Sequence, residues 1–426
     1  MTTTKYNEHK KLNFSSEREQ SQACLNSAEH EKNQGRKVLN VPNLRFPEFQ
    51  GKWEYFLIND VCSEFKSGKN TKADSVFECG EYPVYGGNGL RGYTSSYNHE
   101  GSYVLIGRQG ALCGNVRSVY GKTYITEHAI AVAGNEKSNT SFLHYLFLKM
   151  NLGQYSDQSA QPGLAVNKLL KLKVALPIIS EQTKIAKLLS LLDERISTQS
   201  KIIEDLKKLK SAIVEKVFCS PNQEYPMCRI EGFEQALSTY KMSDFSSRIA
   251  TKNKDSKCSL VLTIAAQYGL VNQESFFNKS VASENLTGYY LLHKGEFAYN
   301  RSYSAGYDWG AVKRLDNYDE GVLSTLYICF KINETIVDSD YLAYYFESSK
   351  WHKGLSDIAG EGARNHGLLN VSITDYFNTK HRFPVIEEQK AIAKMLNTIT
   401  EKERKATLLG ECYQKQKQYL LRQMFI

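Results

Sequence analysis

Apolar side chains recur every three or four positions over two long stretches of this chain, and elsewhere they fall into short alternating runs. From Ser180 onward, Ile185, Leu189, Leu192, Ile196, Ile203, Leu206, Ile213 and Val217 keep that spacing, interrupted at Gln199 and Lys210. Lys and Glu occupy the positions between, so the pattern predicts a helix with one apolar stripe that calls for a coiled-coil-like partner. A helix over 180–217 would be about 57 Å long, more than the width of a small domain. A weaker stripe runs from Glu387 to Met424 through Ile392, Leu396, Ile399, Leu409, Tyr413 and Leu420, and is poorest between Glu401 and Thr407. It is the natural partner of the first. Ser180 ahead of Glu181, and a proline just upstream in each copy, are the expected start signals.

The two helix starts are copies of each other: LPIISEQTKIAKLL from Leu176 returns as FPVIEEQKAIAKML from Phe383. The copy extends backward through both halves. YFLINDVCSEF parallels TYKMSDFSSRI, with Asp60 matching Asp244; GSYVLIGR parallels GEFAYNR, GNVR parallels GAVK, and FLHYLF parallels YLAYYF. The separation grows steadily, from 184 residues at Asp60 to 207 at Pro177. Such growth is the mark of two collinear domains with different loop insertions, and a period this long excludes a solenoid. Within each half, GSYVLIGR and YITEHAIAV, then GEFAYN and LSTLYICF, read as strands. SFLHYLFLKM and DYLAYYFESSKW read as helices. Residues 1–40 are polar and without period, and read as a flexible tail.

Composition narrows the class. At 426 residues the chain can bury two or three cores without disulfides. Nine dispersed cysteines with no Cys-x-x-Cys pair suit reduced thiols in the cytosol and no zinc ribbon. No run of eighteen apolar residues occurs, and MTTTKYNEHKK lacks a signal peptide's apolar core, so a soluble, cytoplasmic protein is expected. Net charge is +8 and the pI about 8.8, which permits nucleic-acid binding without demonstrating it. The 27 tyrosines suggest broad contact surfaces or aromatic-rich strands.

No catalytic constellation emerges. GNGLRG from Gly87 has the letters of a dinucleotide fingerprint, but turn and strand residues follow where a helix should open. YGGNG fits either a backbone that approaches something closely or a tight hairpin with Asn-Gly turn chemistry. GKT at Gly121 lacks the upstream glycine of a phosphate loop, since Val116 stands there. Glu403 to Lys405 reads as ordinary helix surface charge. What remains is polar side chains set among glycines and aromatics: Tyr85, Asn88, Arg91, Arg108, Gln109 and Gln161 in the first half. The second half supplies Gln267, Tyr268, Asn300, Arg301, Tyr303, Arg364, Asn365 and His366. Arg can bond guanine bidentately, and Asn or Gln adenine, so this set suits DNA readout. Residue type alone is weak support, and bonding to its own loop or to a phosphate is the commoner fate of each. Lys201, Lys207, Lys208 and Lys210 could touch phosphates or form a solvated helix face.

With these segments assembled, the chain resembles the specificity subunits of type I restriction-modification systems. The resemblance rests on NVPNLRFPEFQGKWE, YPVYGGNG, IGRQGALCGN, TIAAQYGLVNQ, GEFAYNRSYSAGY, GARNHGLLN and both Pro-x-Ile-x-Glu-Gln helix starts, from about Asn40 to Ile426. It implies an α+β chain with two mixed α/β target recognition domains, at 41–178 and 221–385. Two long antiparallel coiled-coil-like helices, at 179–220 and 386–426, would separate them with pseudo-two-fold symmetry. Each domain would read half of a bipartite double-stranded DNA site. The helix starts, with Pro177, Glu181, Gln182, Pro384, Glu388 and Gln389, would belong to the scaffold. The resemblance also implies a non-catalytic chain without cofactor or metal, partnered by two modification subunits and by restriction subunits. S-adenosylmethionine, ATP and magnesium would act on those partners. The rival classes are a stand-alone methyltransferase or nuclease, and a coiled-coil adaptor that binds no DNA.

Overall fold

The computed structural model describes residues 40–156, 163–278, 285–302, 306–358, 364–365 and 368–426. The chain divides into two units, one of residues up to Glu194 with Gln414–Ile426, the other Arg195–Tyr413.

The first unit carries β1 (Glu54–Leu57), β2 (Cys62–Ser67), β3 (Tyr82–Gly86), β4 (Gly89–Thr94), β5 (His99–Gly107), β6 (Val116–Ile125), β7 (Ala129–Gly134) and β8 (Lys173–Leu176). Six of these form one sheet in the order β2-β7-β5-β6-β3-β4, and β1 pairs antiparallel with β8. Alternation along β5 sends Val104 and Ile106 into the main core with Phe142 and Leu143, while Leu105 joins Val119, Ile125 and Ala131 in a second cluster. The helix Thr140–Met150 starts where the Asn139 side chain accepts from the Phe142 N–H, and stops at Asn151 in the left-handed region.

The second unit carries β9 (Ser238–Lys241), β10 (Ser246–Arg248), β11 (Leu262–Ala265), β12 (Gly269–Asn272), β13 (Tyr290–His293), β14 (Phe297–Asn300), β15 (Ala311–Arg314), β16 (Glu320–Leu323), β17 (Ile328–Ile332), β18 (Arg364–Asn365), β19 (Leu368–Leu369) and β20 (Lys380–Phe383). Its sheet order β10-β17-β14-β15 reproduces β2-β7-β5-β6, and β9 pairs with β20 as β1 does with β8. The helix Ser339–Tyr345 is capped by Asp338 as its counterpart is by Asn139. Outside the shared order, the first sheet adds β3-β4, and the second unit adds the pairs β11-β12, β13-β16 and β18-β19. Two runs expected as single strands are broken: YITEHAIAV turns at Thr126–His128 between β6 and β7, and LSTLYICF turns at Ser324–Tyr327 between β16 and β17. Their apolar flanks hide the turns. DYLAYYFESSKW leaves the helix after Tyr345.

The two long helices run Ile179–Val217 (central) and Ile386–Gln423 (distal). Both begin with the same lock. Glu181 is fully buried, and its carboxylate accepts from Nε and Nη2 of Arg45, each at 2.7 Å. Glu388 receives Nε and Nη2 of Arg229 at 2.9 and 2.7 Å. Each arginine also donates to a backbone carbonyl of its own lead-in, Arg45 to Gly51 and Arg229 to Gln235. The neighbouring glutamines repeat a three-bond pattern. Gln182 accepts from the Asn139 N–H and donates to Lys137 and Pro177 carbonyls; Gln389 accepts from Asp338 N–H and donates to Ile336 and Pro384. The copied Glu-Gln pair is therefore an internal clasp, tying the lead-in, the capped helix and the long-helix start into one body.

The helix ends are copied too. In the second unit Val217 and Phe218 are buried, with the Phe218 ring 5.0 Å from Tyr341, and Cys228 N–H donates to the Lys216 carbonyl. In the first unit Met424 and Phe425 take those places, with Phe425 5.1 Å from Phe142 and Leu44 N–H donating to the Gln423 carbonyl.

Within each unit the helix segments meet antiparallel. In the first, Asp193 accepts from Lys417 and from the Tyr145 hydroxyl. In the second, the Gln199 side chain donates to the Ala406 carbonyl, and Lys210 pairs with Glu403. Gln199 and Lys210, which interrupt the apolar stripe, thus mark where the partner helix is held by polar contacts. Glu403, expected as plain surface charge, is this ion-pair partner and only 18% exposed. Gly410 faces the central helix: a Cβ there would make ordinary contact with Gln199 at 3.5 Å and Ile203 at 3.6 Å.

Two outcomes follow. Arg45→Met strands a buried carboxylate and should cost about 3–5 kcal/mol, read as faster amide exchange in residues 40–194 but not in 238–383; Arg229→Met should do the reverse. His381, buried between Tyr345 and Thr379, is pushed down to about 3 by desolvation. Its folded value lies below the unfolded one, so stability is whole above about pH 6.5 and falls as pH drops toward 3. The second unit should lose about 2 kcal/mol between pH 7 and 5 through this group, and His381→Gln should shrink that loss; an unchanged pH profile would contradict the assignment.

Candidate nucleic-acid interface

In the first unit the glycine-rich segment is a hairpin: Gly86 faces Gly89 across β3 and β4, with Gly87–Asn88 as the two-residue turn. The close approach is internal. A Cβ on Gly87 would fall 2.6 Å from the His128 carbonyl, and one on Gly107 would fall 2.7 Å from the Gly87 carbonyl, so only glycine lets these backbones meet. The contact brings the hairpin turn against Arg108, whose N–H donates to the His128 carbonyl at 2.9 Å. Arg108 Nη1 donates to Ser67 Oγ at 3.1 Å, which aims the guanidinium and leaves its other donors uncommitted. Gln109 is exposed, with its carbonyl 3.2 Å from His128 Nδ1. Asn88 and Arg91 are exposed at the turn and on β4.

Two neighbours escaped the sequence reading. His128 lay inside an expected strand, where the polar pair Glu127–His128 in an apolar run was the available signal. Arg117 on β6 is exposed and sets its guanidinium 3.0 Å from where a Gly89 Cβ would stand. Tyr85, by contrast, is half-buried against the Leu105–Ile125 cluster and belongs to the packing.

In the second unit β11 and β12 form a hairpin with the three-residue turn Ala266–Tyr268, closed by Tyr268 N–H to the Ala265 carbonyl and by Gly269 at φ +86°. Its tip presents Gln267 and Tyr268, the latter 70% exposed, beside Asn300 at the end of β14. Together they border a pocket of about 390 Å³. Arg301 instead serves the fold: its guanidinium donates to the Val371 and Leu326 carbonyls, and its own carbonyl accepts from Leu369 N–H. That bond ties in the β18-β19 hairpin, which holds the backbone of Arg364 and Asn365. Gln161, Tyr303 and His366 lie outside the described residues. On the central helix Lys201, Lys207 and Lys208 are exposed, Lys208 in an i,i+4 pair with Glu204. Among the described residues no group of three or more His, Cys, Asp or Glu could hold a metal ion, and no helix is long and apolar enough to cross a membrane.

Both units thus place polar side chains beside corresponding strand ends, after β5 in one and β14 in the other. The surroundings differ in charge: arginines surround the first, while the described residues that line the pocket of the second are uncharged.

Parts of this chain are similar to known proteins. Residues 50–208 match the family model described as type I restriction modification DNA specificity domain. The EcoprrI type I restriction enzyme specificity subunit of Escherichia coli is 41% identical over 153 residues, 35% of this chain and 37% of that protein. A Haemophilus influenzae protein named as a type I restriction enzyme specificity subunit is 22% identical over 363 residues, 82% of this chain and 89% of the relative. The crystal structure of a type I restriction-modification S subunit from M. genitalium shares the fold, with a TM-score of 0.61 at 16% identity over 91% of this chain and 99% of that one.

Replacing Arg91 or Arg117 by Ala should weaken duplex DNA binding and reduce the slope of log affinity against log salt by about one each, with thermal stability unchanged. An unaltered slope in both variants would place the phosphate backbone elsewhere.

Proposed function

We infer that this chain, a member of the type I restriction-modification specificity family through its domain at residues 50–208, recognises DNA for a multisubunit complex and performs no chemistry itself. The observation that carries this reading is the duplicated framework with unlike strand-end surfaces. Two units share sheet order, helix caps and the Arg–Glu/Gln clasp, yet one gathers arginines around its hairpin and the other an uncharged pocket. Keeping a scaffold while varying what it presents suits two short DNA half-sites read by one polypeptide. Base identity is available in the major groove, where Arg, Asn and Gln make the discriminating bonds.

The long helices act as the spacer in this reading. Polar contacts within each helix pair favour one register: half-buried Asp193 pairs with Lys417, and buried Gln199 donates to the Ala406 carbonyl, a bond that a shifted register would leave unmade. Two modification subunits and the restriction subunits assemble on the scaffold. S-adenosylmethionine, ATP and magnesium act on those partners, and the complex works on cytoplasmic DNA.

Methylome sequencing of a host expressing the chain with modification subunits should reveal one bipartite adenine-methylated motif. Methylation or cleavage of DNA by the purified chain alone would contradict a purely recognising role. A four-residue insertion within 197–212 adds about 6 Å of helix, close to two base-pair steps, and should widen the gap without altering either half-site. An unchanged gap at full activity would rule out a rigid spacer.

A further inference from the structure

The pocket of the second unit is chemically unlike the first unit's arginine-flanked hairpin, and that difference narrows what it can read. Its inner wall is Ile264, Ala265 and Ala311, all buried, and its rim carries the amides of Gln267 and Asn300. Among the described residues no charged side chain lines it. Guanine is most often read by Arg or Lys and cytosine by Asp or Glu, whereas adenine takes the two-bond contact of an Asn or Gln amide and thymine offers a methyl group to small apolar side chains. Alanine walls leave room for a methyl group where larger side chains would fill the space.

The polar groups are held ready. Asn300 Oδ1 accepts from the Ser302 N–H at 2.9 Å, which fixes the amide's orientation and leaves a second lone pair and both amide hydrogens for a ligand. Gln267 sits at a turn whose shape is set by Gly269 in the left-handed region, so its position derives from the hairpin and not from side-chain packing.

We propose that this pocket reads an A·T base pair, with the thymine methyl against Ala265 and Ala311 and the adenine edge met by Asn300 and Gln267. The proposal rests on the specificity reading above and assigns a base class to one half-site.

The test uses the full chain with modification subunits and the motif found for the wild type. Asn300→Ala and Gln267→Ala should relax the same single A·T position, in one half-site only; Gln267 is exposed, so its variant keeps the test valid should Asn300→Ala fail to fold. A duplex with deoxyuridine for thymine at that position should bind the wild type about fourfold more weakly, the worth of one buried methyl. The same replacement in the other half-site should leave the effect of Gln267→Ala unaltered. Relaxation at a G·C pair, an unchanged motif in the folded variants, or indifference to deoxyuridine would overturn the pocket assignment. Failure of the wild type to bind duplex DNA, or a continuous methylated motif, would instead overturn the specificity reading beneath it.

Discussion

A buried carboxylate clasped by an arginine, formed twice, is the interaction on which the rest of this structure depends. Glu181 and Glu388 are almost wholly removed from water, which costs several kcal/mol per ion unless a partner and further hydrogen bonds compensate. Arg45 and Arg229 supply bidentate pairs, and the adjacent Gln182 and Gln389 satisfy both sides of their amides with backbone groups. Such a site is satisfied only when the lead-in, the domain and the helix start are all in place. It couples folding of each unit to the orientation of its long helix.

The same logic extends to the helix ends. Phe218 completes the second core and Phe425 the first, so each long helix leaves one unit and finishes by filling the other. Exchanging ends in this way makes each unit's stability depend on both helices. The loops beside the strand ends take no part in the clasps or in the helix ends. They are free to differ, and the contrast between the Arg108–His128 neighbourhood and the Gln267–Asn300 pocket shows how far they have diverged on one framework.

Much of this was legible in the sequence because it repeats. The helix starts, the strand–helix order and the collinear halves follow from spacing and copied letters. The clasps were not, since NLRFPEF and MCRIEGF share little beyond an arginine and a phenylalanine, and burial of a glutamate is a property of the assembled fold. Strand breaks at Thr126–His128 and Ser324–Tyr327 were concealed by apolar neighbours. Residue type named Arg301 and Tyr85 as candidates alongside Arg91 and Asn88, but it carries no side-chain direction; Arg301 is spent on backbone carbonyls and Tyr85 on packing. His128 and Arg117 were missed for the same reason in reverse.

The central claim is that one framework holds two independent readers. Replacing residues 53–173 by the corresponding segment of a related chain of different specificity, retaining Arg45, Glu181 and both long helices, tests it most directly by methylome sequencing. The account predicts that one half-site changes to the donor's while the other half-site and the gap persist. A change in both half-sites, or in neither while methylation continues, would contradict it.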